Sequence, residues 1–179
     1  MLYIKDIPKD LSNICISYLS EIDVIYHIGD WIKFNKYDVC VIAGQNGWID
    51  LFEWVHNNKH YATDLHCYWL IDATAQYGQL DMLKWLYKSG YEMNWEATAN
   101  AARYGHLDIL KWLKEIGCYD KEKVCADASH GGQLLILKWA KLNDDPWNEF
   151  VCKFAKENKD FEMLKWLKEN NCPCGGSLH

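Results

Sequence analysis

The stretch HLDILKWLKEIG (106–117) decides how this chain folds. Placed on a helix, Leu107, Leu110 and Leu113 form one apolar stripe, and Ile109, Trp112 and Ile116 form a second beside it. Only Asp108, Lys111, Lys114 and Glu115 are left for water. One apolar face suits a helix lying on the outside of a core, whereas two adjoining stripes suit a helix wedged between neighbours on both sides. Working outward, the same segment recurs. Trp54, Trp85, Trp112, Trp139 and Trp166 are separated by 31, 27, 27 and 27 residues, within GWIDLFEWV (47–55), GQLDMLKWL (78–86), GHLDILKWL (105–113), GQLLILKWA (132–140) and KDFEMLKWL (159–167). A second shared block precedes each Trp: VCVIAG (39–44), LIDATA (70–75), ATANAA (97–102), VCADAS (124–129) and VCKFAK (151–156). Self-similarity at such a period is the mark of stacked repeats, each too small to bury its own apolar faces.

Each unit therefore reads as two helices. The first carries small residues that allow close approach, and Gly47, Gly78, Gly105 and Gly132 close it in the left-handed conformation. Lys159 holds that place in the last unit, where the turn is expected to be strained or rebuilt. The second helix begins with acid (Asp50, Asp81, Asp108, Glu162) and carries Lys three residues later (Lys84, Lys111, Lys165), which matches the helix dipole and sets up i,i+3 pairs. Lys84, Lys111, Lys138 and Lys165 read as a solvated line, and the Trp column as core, because its i±3 and i±4 neighbours are apolar.

The pattern A-A-x-x-G-H-L-D-x-L-K-W-L, with links such as NDDPWN (143–148) and NNCPCG (170–175), resembles the ankyrin repeat. More narrowly, it is similar to the short 27-residue form found in arrays in giant DNA viruses of amoebae. The resemblance covers residues 38–174. It implies an all-α, ankyrin-type solenoid of stacked antiparallel helix pairs. The usual pitch is about 33 residues with a T-P-L-H start to the first helix. Here segments such as EATA (96–99) replace that start, so short loops are expected in place of long β-hairpin fingers.

Residues 1–37 are expected to cap the array. Ile22, Asp23, Val24, Ile25 and Ile28 fall in the repeat register, with His27 lying 27 residues before Trp54. Alternatively Pro8, Leu11, Ile16, Leu19 and Asp23 resemble the start of an F-box, which implies a ubiquitin-ligase adaptor docking a Skp-type protein through residues 7–29. The tail, residues 175–179, is set apart as an added segment.

Composition bounds the rest. The 179 residues are half apolar and a quarter charged, with 19 basic residues against 25 acidic ones for a net charge of −6. A chain of this length buries about 70% of its unfolded surface and needs no disulfide or metal staple. No apolar run reaches the 18 residues of a membrane span, the start lacks a basic region followed by an apolar run, and no dense positive patch offers itself to phosphate backbones. The expectation is an intracellular, cytoplasmic protein (host cytoplasm, if viral), with no membrane or nucleic-acid partner. Of eight Cys, Cys118, Cys125, Cys152 and Cys172 occupy repeat positions and read as small hydrophobes. His56, His60, His66 and Cys67, in the insertion that lengthens the first interval, are the remaining metal candidates, as His56 and His60 stand i,i+4. They match no known ligand spacing, and a metal-dependent enzyme or sensor built on them is the remote alternative. Phosphate-loop, dinucleotide, zinc-protease and nucleophile-elbow motifs are absent, so no catalytic residue and no cofactor is assigned.

What remains is a surface. Solenoids present a concave face lined by outward positions of the first helices. Counted back from the Trp, these are Gln45, Gln76, Arg103, His130 and Glu157 (nine before), Tyr77 and Tyr104 (eight before), and Asn100 and Asp127 (twelve before). They vary from unit to unit within a constant frame. Tyr and Arg are common interface anchors, so Tyr77, Arg103 and Tyr104 are the preferred contacts for a protein partner, a host protein by resemblance. The chain is expected to be monomeric or weakly self-associating, through exposed Phe154 or Phe161.

Overall fold

The computed structural model describes residues 41, 43–50, 52–53 and 68–173, and all regular structure among them is helical. The segment 1–37, the His56, His60, His66 and Cys67 group, Trp54 and the 175–179 tail lie outside the described residues. Eight helices run in order: α1 (Tyr68–Gln76), α2 (Leu80–Lys88), α3 (Trp95–Tyr104), α4 (Leu107–Glu115), α5 (Lys121–His130), α6 (Leu134–Leu142), α7 (Glu149–Glu157) and α8 (Phe161–Glu169). Residues 43–46 and 52–53 belong to a preceding pair in the same register. No strand interrupts the connections between 68 and 173, so the intervals that would carry β-fingers are short helix-to-helix links.

The start and stop of each element follow from local chemistry. Asn94, Asp120 and Asn148 cap the first helices, each side chain accepting a backbone N–H one or two residues inside the helix. Gly105 ends α3 at φ 87°, a left-handed geometry that costs glycine nothing. Lys159 takes the same conformation at φ 55°, so in the last unit the turn is kept rather than rebuilt, and a side-chain-bearing residue carries the strain. The dipole-matched acids Asp81, Asp108 and Glu162 do sit in first turns. Their expected ion pairs with Lys84, Lys111 and Lys165 do not close within 4.0 Å, whereas Arg103–Asp127 and Lys153–Glu157 do. At exposed sites solvent competes with both partners, and holding two long side chains together costs entropy.

Packing follows sequence order. Each first helix contacts its own second helix, and α1, α3, α5 and α7 pack successively on one another. Ala97, Ala101 and Ala102 in α3 and Ala128 in α5 are fully buried, and their small size lets the first helices come close. At one point backbone meets backbone: a Cβ on Gly131 would fall on the Arg103 carbonyl, with the carbonyl carbon at 2.6 Å and Cα at 3.0 Å. The second helices contribute Met82, Leu83, Leu86, Ile109, Leu110, Leu113, Ile136, Leu137, Met163 and Leu167 to one continuous core. The described Trp residues of the repeat, Trp85, Trp112, Trp139 and Trp166, are half-buried against this core rather than inside it. Each meets an aromatic ring edge-on or tilted, namely Phe52, Tyr87, Tyr119 and Trp147 respectively, at 5.7–5.8 Å between centroids. The Lys line is likewise mixed, Lys111 and Lys165 being exposed and Lys84 and Lys138 half-buried.

Polar joints tie successive units. The Gln79 amide donates to the Gln45 carbonyl at 2.9 Å, and His106 Nε2–H donates to the Gln76 carbonyl at 2.8 Å. Asn158 donates to the carbonyls of Ser129 (3.1 Å) and His130 (2.8 Å). The same three acceptor positions, nine residues before each Trp, are thus engaged from the following unit. Gln79, His106 and Gln133 also lie over Gly47, Gly78 and Gly105, filling the space a Cβ would need. Gln133 itself bonds the Gly131 carbonyl instead, since Gly131 has already closed on Arg103.

Candidate partner-binding face

The surface positions of the first helices arise from the same periodicity as the core. With Leu70, Ile71, Thr74 and Ala75 buried, α1 leaves Trp69, Asp72, Gln76 and Tyr77 toward solvent; α3, burying Ala97, Thr98, Ala101 and Ala102, leaves Trp95, Glu96, Asn100, Arg103 and Tyr104. Because α1, α3, α5 and α7 pack successively, these sets adjoin.

Of the positions read from the sequence, Tyr77 and Tyr104 are 50% and 46% exposed, and His130 and Glu157 are also exposed. Gln45, Gln76 and Asn100 are half-buried. Arg103 and Asp127 are brought together, Nη2 lying 2.5 Å from Oδ1. The Asp127 side chain is 14% exposed, so this pair is partly desolvated, and the Arg103 Nε is buried without a partner. Read from the sequence as two separate contacts, they are one neutralised pair bridging α3 and α5, and what they offer a partner is a planar guanidinium edge rather than a free cation. His130 stacks on Phe154 at 4.6 Å, which half-buries Phe154 and joins α5 to α7. Phe161, by contrast, is wholly outward on α8. Glu157 lies 3.9 Å from Lys153.

Sequence reasoning missed the other end of the same face. Trp69 is 71% exposed and Trp95 52%. Phe150 is exposed at the corresponding place in α7. These residues stand at the starts of the first helices, Trp69 and Phe150 sixteen and Trp95 seventeen before the repeat Trp, and Trp69 lies eight residues, about two turns, before Tyr77. Lys123 Nζ lies over the Trp95 ring at 4.7 Å. Asp72 is half-buried and accepts a 3.3 Å bond from the Asn94 amide. Burial pushes its carboxyl pKa up, the Asn94 bond opposes this, and the nearby charge of Glu96 adds to it.

A second polar cluster lies between units, away from this face. Asp145 is buried and accepts a bond from the Tyr119 hydroxyl. Burial raises the Asp145 pKa, while the Tyr119 bond and the positive charges of Lys114 and Lys121 pull against it. Burial, then the bond to Asp145, also raises Tyr119. Cys125, with its Sγ 4.0 Å from the Asp145 carbonyl oxygen, is pushed by burial to about 12, and Cys172 to about 11. Such thiols stay protonated and pack as small apolar groups. The Sγ atoms of Cys152 and Cys172 lie 3.4 Å apart. Among the described residues no three His, Cys, Asp or Glu side chains converge as a metal site would require, and no helix is long and apolar enough to cross a membrane.

No family model matches this chain, and no curated protein sequence is detectably similar to it.

Proposed function

We propose that residues 38–174 form an ankyrin-type solenoid acting as a non-enzymatic module that binds a protein partner on the outward face of its first helices. The observation that carries this reading is the exposure of large aromatics on the two adjoining first helices α1 and α3 and at their ends, where Trp69, Tyr77, Trp95 and Tyr104 are each about half exposed or more. Isolated exposed aromatics are ordinary, but four on two adjoining helices are a concentration of exposed apolar area that supports an interaction role. The 27-residue period and the sequential packing of α1, α3, α5 and α7 support the solenoid part of the reading. The Tyr and Trp side chains supply large contact area with few rotatable bonds to freeze, which is why such residues dominate interface energetics.

The test is affinity capture from lysate of the cell the protein acts in, using the wild-type chain and a Tyr77→Ala, Tyr104→Ala double variant as paired baits. Both substitutions are at exposed positions, so the fold is retained, and circular dichroism verifies it. Partners lost with the double variant and kept by Phe161→Ala, on α8, support the face. Partners retained equally by all three baits place recognition elsewhere.

A further inference from the structure

The 27-residue period brings the same two positions together in successive units. One is fourteen residues before the repeat Trp, in the first helix, and the other six after it, in the link that follows the second helix. Thr98 and Cys118 hold them in one unit, Cys125 and Asp145 in the next, and Cys152 and Cys172 in the last. Each pair is in contact. The Thr98 hydroxyl donates to the Cys118 carbonyl at 3.4 Å, Cys125 Sγ lies 4.0 Å from the Asp145 carbonyl oxygen, and Cys152 Sγ lies 3.4 Å from Cys172 Sγ. A shared backbone turn sets the approach. The residue before the second position takes φ 76° at Gly117, 56° at Asp144 and 57° at Asn171, and the chain folds back so that the N–H groups of Cys118, Asp145 and Cys172 donate to the carbonyls of Leu113, Ala140 and Leu167 at 2.9, 3.1 and 3.0 Å. In the last of these three units both side chains are sulfur. Cys152 is disulfide-bonded there, while Cys172 is a free thiol. The reading of Cys152 as a small hydrophobe accounts for its burial but not for this bond.

We propose that Cys172 is an exchange partner for the disulfide of Cys152, so that the cross-link in the last unit has two settings. The Cys172 thiolate attacks Cys152 Sγ, a Cys152–Cys172 bond forms as the existing S–S bond breaks, and the displaced sulfur leaves with the electron pair and takes up the proton that Cys172 lost. One disulfide and one thiol stand on each side of the step, so no oxidant or reductant is consumed. The 3.4 Å separation falls within the roughly 3–3.5 Å of reacting atoms held ready for attack. Burial raises the Cys172 thiol to about 11, with the positive charge of Lys141 on α6 pulling against it, and the neighbouring Cys125 thiol on α5, raised to about 12, is likewise protonated at neutral pH. The exchange is therefore slow at pH 7 and gains about tenfold per pH unit, because the thiolate is the attacking form, and a thiolate of high pKa is the stronger nucleophile once formed. In the new setting the bond ties α7 to the link after α8 and closes the last helix pair on itself.

The test follows the linkage of Cys152 in the full chain. The protein is equilibrated with oxidised glutathione, freed of it, and incubated at pH 8 and pH 9. Timed samples are quenched with acid, remaining thiols are blocked with N-ethylmaleimide, and tryptic peptides are mapped by mass spectrometry without reduction. Cys172 and Cys174 share one tryptic peptide, so fragmentation between Cys172 and Pro173 assigns the bonded sulfur. The expected result is a Cys152–Cys172 linkage that grows as the starting linkage declines, about tenfold faster at pH 9 than at pH 8, with no linkage of Cys152 to Cys118, the free thiol of another unit. Cys172→Ser, verified as folded by circular dichroism, should keep its starting linkage through the same incubation. A role for Cys172 in packing alone would alter the stability of that variant but would create no new linkage in the wild type. Absence of a Cys152–Cys172 linkage at pH 9, or Cys118 joined to Cys152 as often as Cys172 is, overturns the proposal.

Discussion

Replacing Gly131 by alanine tests the stacking of the first helices most directly, because two opposed effects can be sized. Gly131 has φ −83° and ψ −1°, a conformation open to any residue. In the absence of neighbours, Gly131→Ala would stabilise the protein by about 0.4–1 kcal/mol, by restricting the unfolded chain. The neighbours reverse the sign. The new methyl would lie 2.6 Å from the Arg103 carbonyl carbon and 3.0 Å from its Cα, and on top of the carbonyl oxygen. Ordinary carbon–carbon contact is about 3.5–4.0 Å, so the ends of α3 and α5 must part by about an ångström. All three obstructing atoms are main chain, and no rotamer change relieves them. That separation would also stretch the Arg103–Asp127 pair between the same helices. Overpacking of a rigid site costs about 1–3 kcal/mol, and with the ion pair disturbed a net loss of about 2–3 kcal/mol is expected. In urea unfolding followed by circular dichroism, with a slope of about 2 kcal/mol/M, the midpoint should fall by about 1–1.5 M. Gly90, at φ 89° with nothing within 4 Å of its would-be Cβ, is the control: Gly90→Ala should cost only the left-handed penalty of about 1 kcal/mol. If Gly131→Ala leaves the midpoint unchanged or raises it, the close approach of α3 and α5 is wrong.

Substitutions at three further positions probe separate features. Lys159→Gly should raise stability by about 1 kcal/mol in the same unfolding assay, because glycine removes the left-handed strain at φ 55°; destabilisation would mean the Lys159 side chain contributes more than the strain costs. His106→Leu leaves the Gln76 carbonyl without its donor and should cost about 1–3 kcal/mol, whereas His106→Gln, copying the neighbouring units, should stay within about 1 kcal/mol of wild type; equal losses would refute a hydrogen-bonding role. Asp145→Asn keeps an acceptor for Tyr119 and removes the buried charge. The folded-state pKa of Asp145 is raised above its ordinary 3.8, so the folded protein holds this proton more tightly than the unfolded chain does. Its contribution is therefore fully present below pH 3.8 and is lost as pH rises through the folded value. Stability measured from pH 3.5 to 7 should fall for the wild type relative to Asp145→Asn over that window, and parallel curves would contradict the assignment.

The elements of this chain were legible because their signals are local and repeated. Leu107, Ile109, Leu110 and Leu113 lie on the apolar side of a helix whatever packs there, and Gly105 ends α3 in the geometry its residue type favours. What the sequence concealed depends on contacts between units. Gln79 and His106 share a register but differ in chemistry, and Asn158 stands in another register, yet each reaches back to a main-chain carbonyl, and no single residue pattern marks that shared task. Arg103 and Asp127 were each readable as outward positions, but their meeting requires the offset between α3 and α5. The Trp residues of the repeat were read as core because their sequence neighbours are apolar, although an indole at the edge of a stack need only be covered on one side. Trp69 and Trp95 stand in different registers, sixteen and seventeen before the repeat Trp, so no recurring position marks them in the sequence.

Three of the joints between units, at Gln45, Gln76 and His130, accept through main-chain oxygen. A peptide carbonyl is the same whichever amino acid carries it. Rewriting the chemistry displayed at these places therefore does not loosen the fastening beneath, and the outward surface can change while the skeleton stays the same.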